Sequence, residues 1–161
     1  PIYFVYYFYN CFSNIKKVKV MTDTEDVFRK YLYFLEQADE ENIGEILNYV
    51  DKEVRFKDPL HDAQGASEIH RIFKRLLTDL KKINFTTREL IATGDNAYYK
   101  WTLECYAGRK SWSIEGVTFL TIGERKLITN HIEYWDTSSQ IYEKLPIIGP
   151  QLRLLRRILI H

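Results

Sequence analysis

The sequence predicts an α+β domain in which N-terminal helices pack on one face of a strongly curved antiparallel sheet. Apolar residues recur at helical spacing as far as Leu80, and the period drops to two from Asn84 onward. Glycine-centred turn signals then cut the second half into four segments. Helices first and a meander afterwards segregate the helices to one side of the sheet.

The first helix starts at a capping box. In Thr22-Asp23-Thr24-Glu25 the Thr hydroxyl and the Glu carboxylate each satisfy a backbone donor that the first turn leaves unpaired. Val27, Phe28, Tyr31, Leu32, Phe34 and Leu35 follow at helical spacing, and the polar stretch from Glu36 to Asn42 ends the run. Ile43, Ile46, Leu47 and Val50 mark a shorter second helix. Val54-Arg55-Phe56-Lys57-Asp58-Pro59 reads as a short strand entering a proline turn. After Gly65, the residues Ile69, Ile72, Phe73, Leu76, Leu77 and Leu80 form the most regular helical stripe in the chain.

Alternation begins with the strands. Tyr99, Trp101, Leu103 and Cys105 alternate with Tyr98, Lys100, Thr102 and Glu104, the pattern of a half-buried strand. Turns at Gly94-Asp95-Asn96, Ala107-Gly108-Arg109 and Gly123-Glu124-Arg125 give four successive antiparallel strands near 84–93, 97–106, 110–122 and 126–136.

The chain has 161 residues, one domain's worth, with hydrophobic residues at 45% and charged residues at 28%. Disorder and a membrane bundle are excluded as descriptions of the whole. Basic residues number 23 and acidic residues 22, so no overall charge commits the chain to nucleic acid. The balance is uneven along the chain. Residues 1–20 carry three Lys, and residues 144–161 carry Lys144, Arg153, Arg156 and Arg157, without an acid in either segment. The middle is therefore mildly acidic.

Aromatic content of 15%, including 12 Tyr and 9 Phe, suits a sheet or cavity lined by rings with polar tips. Cys11 and Cys105 belong to no cysteine framework, which points to a reducing, cytoplasmic compartment. Residues 1–20, ahead of the only methionine, Met21, read as an extension outside the domain. Their aromatic block at 1–12 is too short to span a bilayer, and its lysines follow it, whereas a secretory signal puts them first. An interfacial anchor or an extra strand is the alternative.

Asp58-Pro59, Gly65, the amphipathic helix after it and the strand Trp112-Ser113-Ile114-Glu115-Gly116-Val117-Thr118-Phe119 together resemble the SnoaL-like branch of the nuclear transport factor 2-like superfamily, which also contains ketosteroid isomerase. The resemblance covers about residues 25–145 and implies a cystatin-like cone, a curved sheet wrapped round a cavity that the helices close. It divides the chain into the extension, a domain over 21–145 and a basic amphipathic helix over 146–161. Similarity to the isomerase implies a catalytic set: a phenol at Tyr31 in Arg29-Lys30-Tyr31, a general base at Asp58, and a protonated carboxyl at Glu115. Such a set takes a proton alpha to a carbonyl and hydrogen-bonds the enolate oxygen.

Each position has a structural reading beside the chemical one. Tyr31 lies on the apolar stripe and packs in a core equally well. Asp58 before a proline caps turns. His61 is a second acid or base, or a solvated loop residue. Phe56, Trp101, Trp112, Val117, Phe119 and Trp135 are the candidate ligand-binding walls. His131, near Glu133 and Asp136, reads as alternation along an edge with both faces partly polar. No metal-ligand spacing is present, and no cofactor is implied. The expected partners are a small hydrophobic carbonyl compound and, by resemblance, a second copy of the chain; the alternative is a non-catalytic ligand-binding or assembly module of the same fold.

The tail leaves two readings. Leu152, Leu155, Ile158 and Leu159 either lid the cone or pack between subunits with the arginines in water, which is the favoured expectation, or they meet a membrane surface.

Overall fold

A computed structural model describes residues 23–160. The readings on the N-terminal extension, Cys11 and Thr22 lie outside the described residues. The chain runs through α1 (Asp23–Gln37), a 3-10 turn (Ile43–Asn48), β1 (Val50–Lys57), β2 (Asp62–Gln64) and α2 (Ala66–Asp79). It continues through β3 (Lys81–Thr93), β4 (Asn96–Ala107), β5 (Lys110–Ile122), β6 (Ile128–Trp135), α3 (Thr137–Gln140), a second 3-10 turn (Tyr142–Lys144) and α4 (Gly149–Ile160).

The six strands make one curved sheet in the order β2-β1-β6-β5-β4-β3. Each hairpin of the meander is antiparallel, but β1 and β6 run parallel, with Phe56 beside His131 and Lys57 beside Ile132. That pair departs from the all-antiparallel expectation, and connectivity explains it. Helix α2 carries the chain to the far edge of the sheet, and three hairpin reversals bring β6 back beside β1 pointing the same way.

Two register shifts in the β3–β4 ladder, between Lys81 and Asn84 and between Thr87 and Glu89, bend the sheet. Lys82 takes a left-handed φ of 52° at the first. At the second, Glu36 of α1 accepts hydrogen bonds from the Thr87 backbone N–H at 2.6 Å and its hydroxyl at 2.5 Å. The helix is thereby tied to the bend.

Phe28, Tyr31, Leu32 and Leu35 of α1 and Ile69 and Ile72 of α2 are buried against the concave face. The expected second helix is the six-residue 3-10 turn, which buries only Ile43 and Ile46, while Val50 already opens β1. β6 ends where Asp136 accepts from the backbone N–H groups of Ser138 and Ser139 and from the Ser139 hydroxyl. Among the described residues no helix is long and apolar enough to cross a membrane.

Candidate functional site

Between the helices and the concave sheet lies a cavity of about 490 Å³, a size suited to a small organic ligand. Strand alternation decides which side chains reach it. Trp101 and Leu103 of β4 and Trp112 and Ile114 of β5 point inward, and so does Trp135 of β6. Phe56 of β1 and Leu35, Ile72 and Leu76 of the helices complete an apolar wall.

Gly116 has a steric reason to be glycine. It pairs with Trp101 across β4 and β5, and a Cβ there would strike the indole lying over it. The Trp101 N–H in turn donates to the Thr118 hydroxyl at 2.9 Å. The indole N–H of Trp112 is buried without a hydrogen-bond partner among the described residues, an open donor in the cavity lining.

The helices add the charged Glu36, Arg71, Arg75 and Asp79 to the lining, and two acid–base groups stand on the sheet side. The first stands at the end of β1, where Asp58 Oδ1 accepts from the backbone N–H groups of Leu60 at 2.7 Å and His61 at 2.5 Å. The Asp58 N–H donates to the His61 carbonyl, which closes the turn into β2. His61 Nδ1 lies 3.0 and 3.1 Å from the two carboxylate oxygens. The Asp58 side chain is 11% exposed, and both residues line the cavity. Asp58 therefore caps the turn and orients His61 at once. With the carboxylate ionised, His61 Nδ1 carries the hydrogen and Nε2 keeps a free lone pair.

The second group was missed from sequence. His131, fully buried, bonds the Tyr31 hydroxyl through Nδ1 at 2.8 Å and Glu133 through Nε2 at 2.9 Å. The consistent proton arrangement has Tyr31 donating to Nδ1 and Nε2–H donating to the Glu133 carboxylate. Glu133, 14% exposed, lines the cavity. One step past the Lys57–Ile132 pair, the β1–β6 register brings Asp58 abreast of it. The Phe56 ring lies between the two histidines, 6.4 Å from His61 and 5.2 Å from His131. Burial, and next the Glu133 carboxylate, push the Tyr31 hydroxyl well above the usual tyrosine range. Tyr99, equally buried, is pushed up for the same two reasons and by Tyr31.

Of the residues expected from sequence, Asp58, His61, Phe56, Trp101, Trp112 and Trp135 meet at the cavity. Tyr31 sits behind it, joined to it through His131 and Glu133. Glu115, Val117 and Phe119 do not reach it. β5 alternates so that Ile114, Gly116, Thr118 and Leu120 face in, which turns these three to the convex side. Glu115 is exposed there, and Phe119 packs on Tyr98 at 4.9 Å. The edge reading of His131 is likewise corrected, because β6 lies inside the sheet between β1 and β5. Cys105 is buried and its thiol is pushed up by burial.

Solved structures of the same shape fall far below the identity at which activity transfers, and they define the fold. A nuclear transport factor 2-like protein of unknown function from Burkholderia pseudomallei superposes with a TM-score of 0.65 at 14% identity, over 75% of this chain and 96% of that one. A putative SnoaL-like polyketide cyclase from Jannaschia gives 0.65 at 10% identity, over 81% and 97%. TerC, co-crystallised with polyporic acid, gives 0.62 at 16% identity, over 73% and 95%. No curated protein matches the chain. The SnoaL-like domain family matches residues 31–131, a span that opens on Tyr31 and closes on its hydrogen-bond partner His131, and with the cone around them this places the chain in the SnoaL-like family of the nuclear transport factor 2-like superfamily.

Proposed function

We propose that this SnoaL-like domain binds a small, largely apolar carbonyl compound in its cone and moves a proton on it, without a cofactor. The observation that carries the reading is the Asp58–His61 pair opening into a cavity lined mainly by rings and aliphatic side chains. Asp58, the base expected from sequence, acts here through the ring it holds. His61 Nε2 takes the proton alpha to the carbonyl, and the Asp58 carboxylate stabilises the imidazolium that results. Glu133 is the second carboxyl at the cavity, but as the acceptor of the His131 Nε2–H it does not take the donor role that the resemblance gave Glu115. TerC, alike in fold, was co-crystallised with polyporic acid, which supports an organic compound as the ligand here.

The test uses 2-tetralone, a bicyclic ketone with exchangeable alpha protons, in deuterated buffer followed by NMR. The protein should accelerate exchange, and Asp58→Asn and His61→Gln should each lower the rate by about a hundredfold. Exchange no faster than in buffer alone, or unaffected by either substitution, overturns the reading.

The proposed assembly is a homodimer through the convex face. Ile91, Tyr98, Phe119 and Ile132 are directly opposed across four consecutive strands, and Val117 and Tyr134 make a second exposed pair beside them. Sedimentation velocity should show a dimer that Tyr98→Glu converts to monomer, and a monomeric wild type refutes it.

A further inference from the structure

Helix α4 is mounted inside out. Its twelve residues carry Leu154, Leu155, Ile158 and Leu159 at 61%, 51%, 65% and 76% exposure, a continuous outward apolar stripe. The side turned to the body carries buried Gly149 and half-buried Leu152, and Arg153 and Arg156 reach back to it with their side chains still exposed. Arg153 donates to the Glu143 backbone carbonyl, and Arg156 Nη1 lies 3.3 Å from the Glu143 carboxylate. The mounting is specific, since a side chain at Gly149 would collide with the Glu143 backbone. Of the two packings expected from sequence, the leucines do not lid the cone, and the outward stripe leaves contact between subunits as the other; the arginines remain exposed as expected.

The charge around the helix indicates what covers the stripe. From Lys144 to the end of the chain there are four basic residues and no acid. Lys110 of the β4–β5 turn joins them, donating to the Lys144 carbonyl at 2.6 Å, and Arg109 precedes it. Arg156 pairs with Glu143 and also acts on Asp136, so the cations outnumber the acids beside them. An exposed aliphatic stripe flanked by an excess of cations matches the chemistry of an anionic lipid surface, where the stripe enters the acyl boundary and the cations meet headgroups. The helix is about 18 Å long, too short to span a bilayer and suited to lie along one.

We propose that α4 seats this protein on anionic membrane surfaces, with Leu154, Leu155, Ile158 and Leu159 inserted and the cluster from Arg109 to Arg157 over the headgroups. The proposal does not depend on the acid–base reading of the cavity.

The full chain is sedimented with vesicles of phosphatidylcholine, with and without about 30% phosphatidylserine. Binding is expected to the anionic vesicles, weakening as salt is raised. Leu155→Glu with Ile158→Glu should lower the partition coefficient by at least about tenfold. Arg157→Gln, at an exposed position, should lower it less and flatten the salt dependence, while circular dichroism checks that both variants stay folded. Absence of binding, equal binding to both vesicle types, or binding unchanged in the double variant overturns the proposal. So does a wild type that leaves the vesicles alone and loses an oligomer in the double variant, since the stripe is then an interface between copies.

Discussion

The concave and convex faces of β4 and β5 come from alternate residues of the same two strands, yet the two faces constrain a side chain differently. On the concave side Trp101 lies flat over Gly116 with its N–H on Thr118, and each of the three positions is dictated by the other two. One residue along, Glu115 and Val117 face outward, and the Glu115 carboxylate has no partner among the described residues. Residue identity inside the cone is set by contact, whereas outside it is free unless a partner molecule sets it. Substitutions on the two faces should therefore separate by several-fold in effect.

The largest effect belongs to His131. Replacing it with Leu leaves the Tyr31 hydroxyl unpaired in a closed interior and the Glu133 carboxylate at the cavity wall without the imidazole that holds it. We expect a loss of about 3 kcal/mol in urea unfolding, with weaker ligand binding because Glu133 is no longer held. A loss comparable to that of an exposed convex substitution would break the distinction between the faces.

Gly116→Ala comes next. The added methyl meets the Trp101 indole, which cannot turn away without losing Thr118, so overpacking should cost about 2 kcal/mol. Tryptophan fluorescence should shift in the same variant. If stability and emission are both unchanged, the indole is not held as described.

These positions also show how far the sequence could be read. Element order, the strand pattern of β4 and the turn at Asp58 followed from periodicity and turn chemistry, because those signals are local. Glu115 is not legible from the family motif, because a motif match says nothing of which face of the strand a residue takes. Ile114 and Glu115 cannot both point inward, and the buried Thr118 and Leu120 fix the parity of the strand. The same parity was available for β6: once Trp135 is assigned to the cavity wall, Glu133 and His131 must face the same way. The contact of Tyr31 with His131 was out of reach, since it joins residues 100 apart through tertiary packing. The inside-out mounting of α4 was equally hidden, because a helical wheel gives the two faces but not which of them docks.

Tyr31→Phe probes the concave network by pH. Removing the hydroxyl should cost about 1.5 kcal/mol at neutral pH through the lost bond to His131. The native hydroxyl is pushed well above the value of an unfolded tyrosine, near 10, so the native state holds more protons than the unfolded state above that pH. Its contribution is complete below about pH 10 and declines as pH rises from there toward the native value. Stability of the wild type should therefore fall between about pH 10 and 11, and the Phe variant should fall less steeply by up to about 1.4 kcal/mol per pH unit. Tyr99, raised by the same cause, keeps part of the decline in the variant. Parallel curves would mean that Tyr31 ionises freely.

The smallest expected effect is the sharpest test of the two faces. Glu115 holds its place through its backbone, whose N–H donates to the Gln140 side chain at 2.6 Å and whose carbonyl accepts from it at 3.0 Å. Neither bond uses the carboxylate. Glu115→Gln should consequently change unfolding free energy by less than about 0.5 kcal/mol and leave exchange of 2-tetralone protons at the wild-type rate. The motif resemblance to ketosteroid isomerase leads to the opposite expectation, a collapse of activity with the fold intact. Paired with Glu133→Gln, the experiment asks which of two carboxyls on adjacent strands the chemistry uses. β5 and β6 pair so that Thr118 and Glu133 share the inner face while Glu115 takes the outer one, so only the Glu133 substitution should be felt inside the cone.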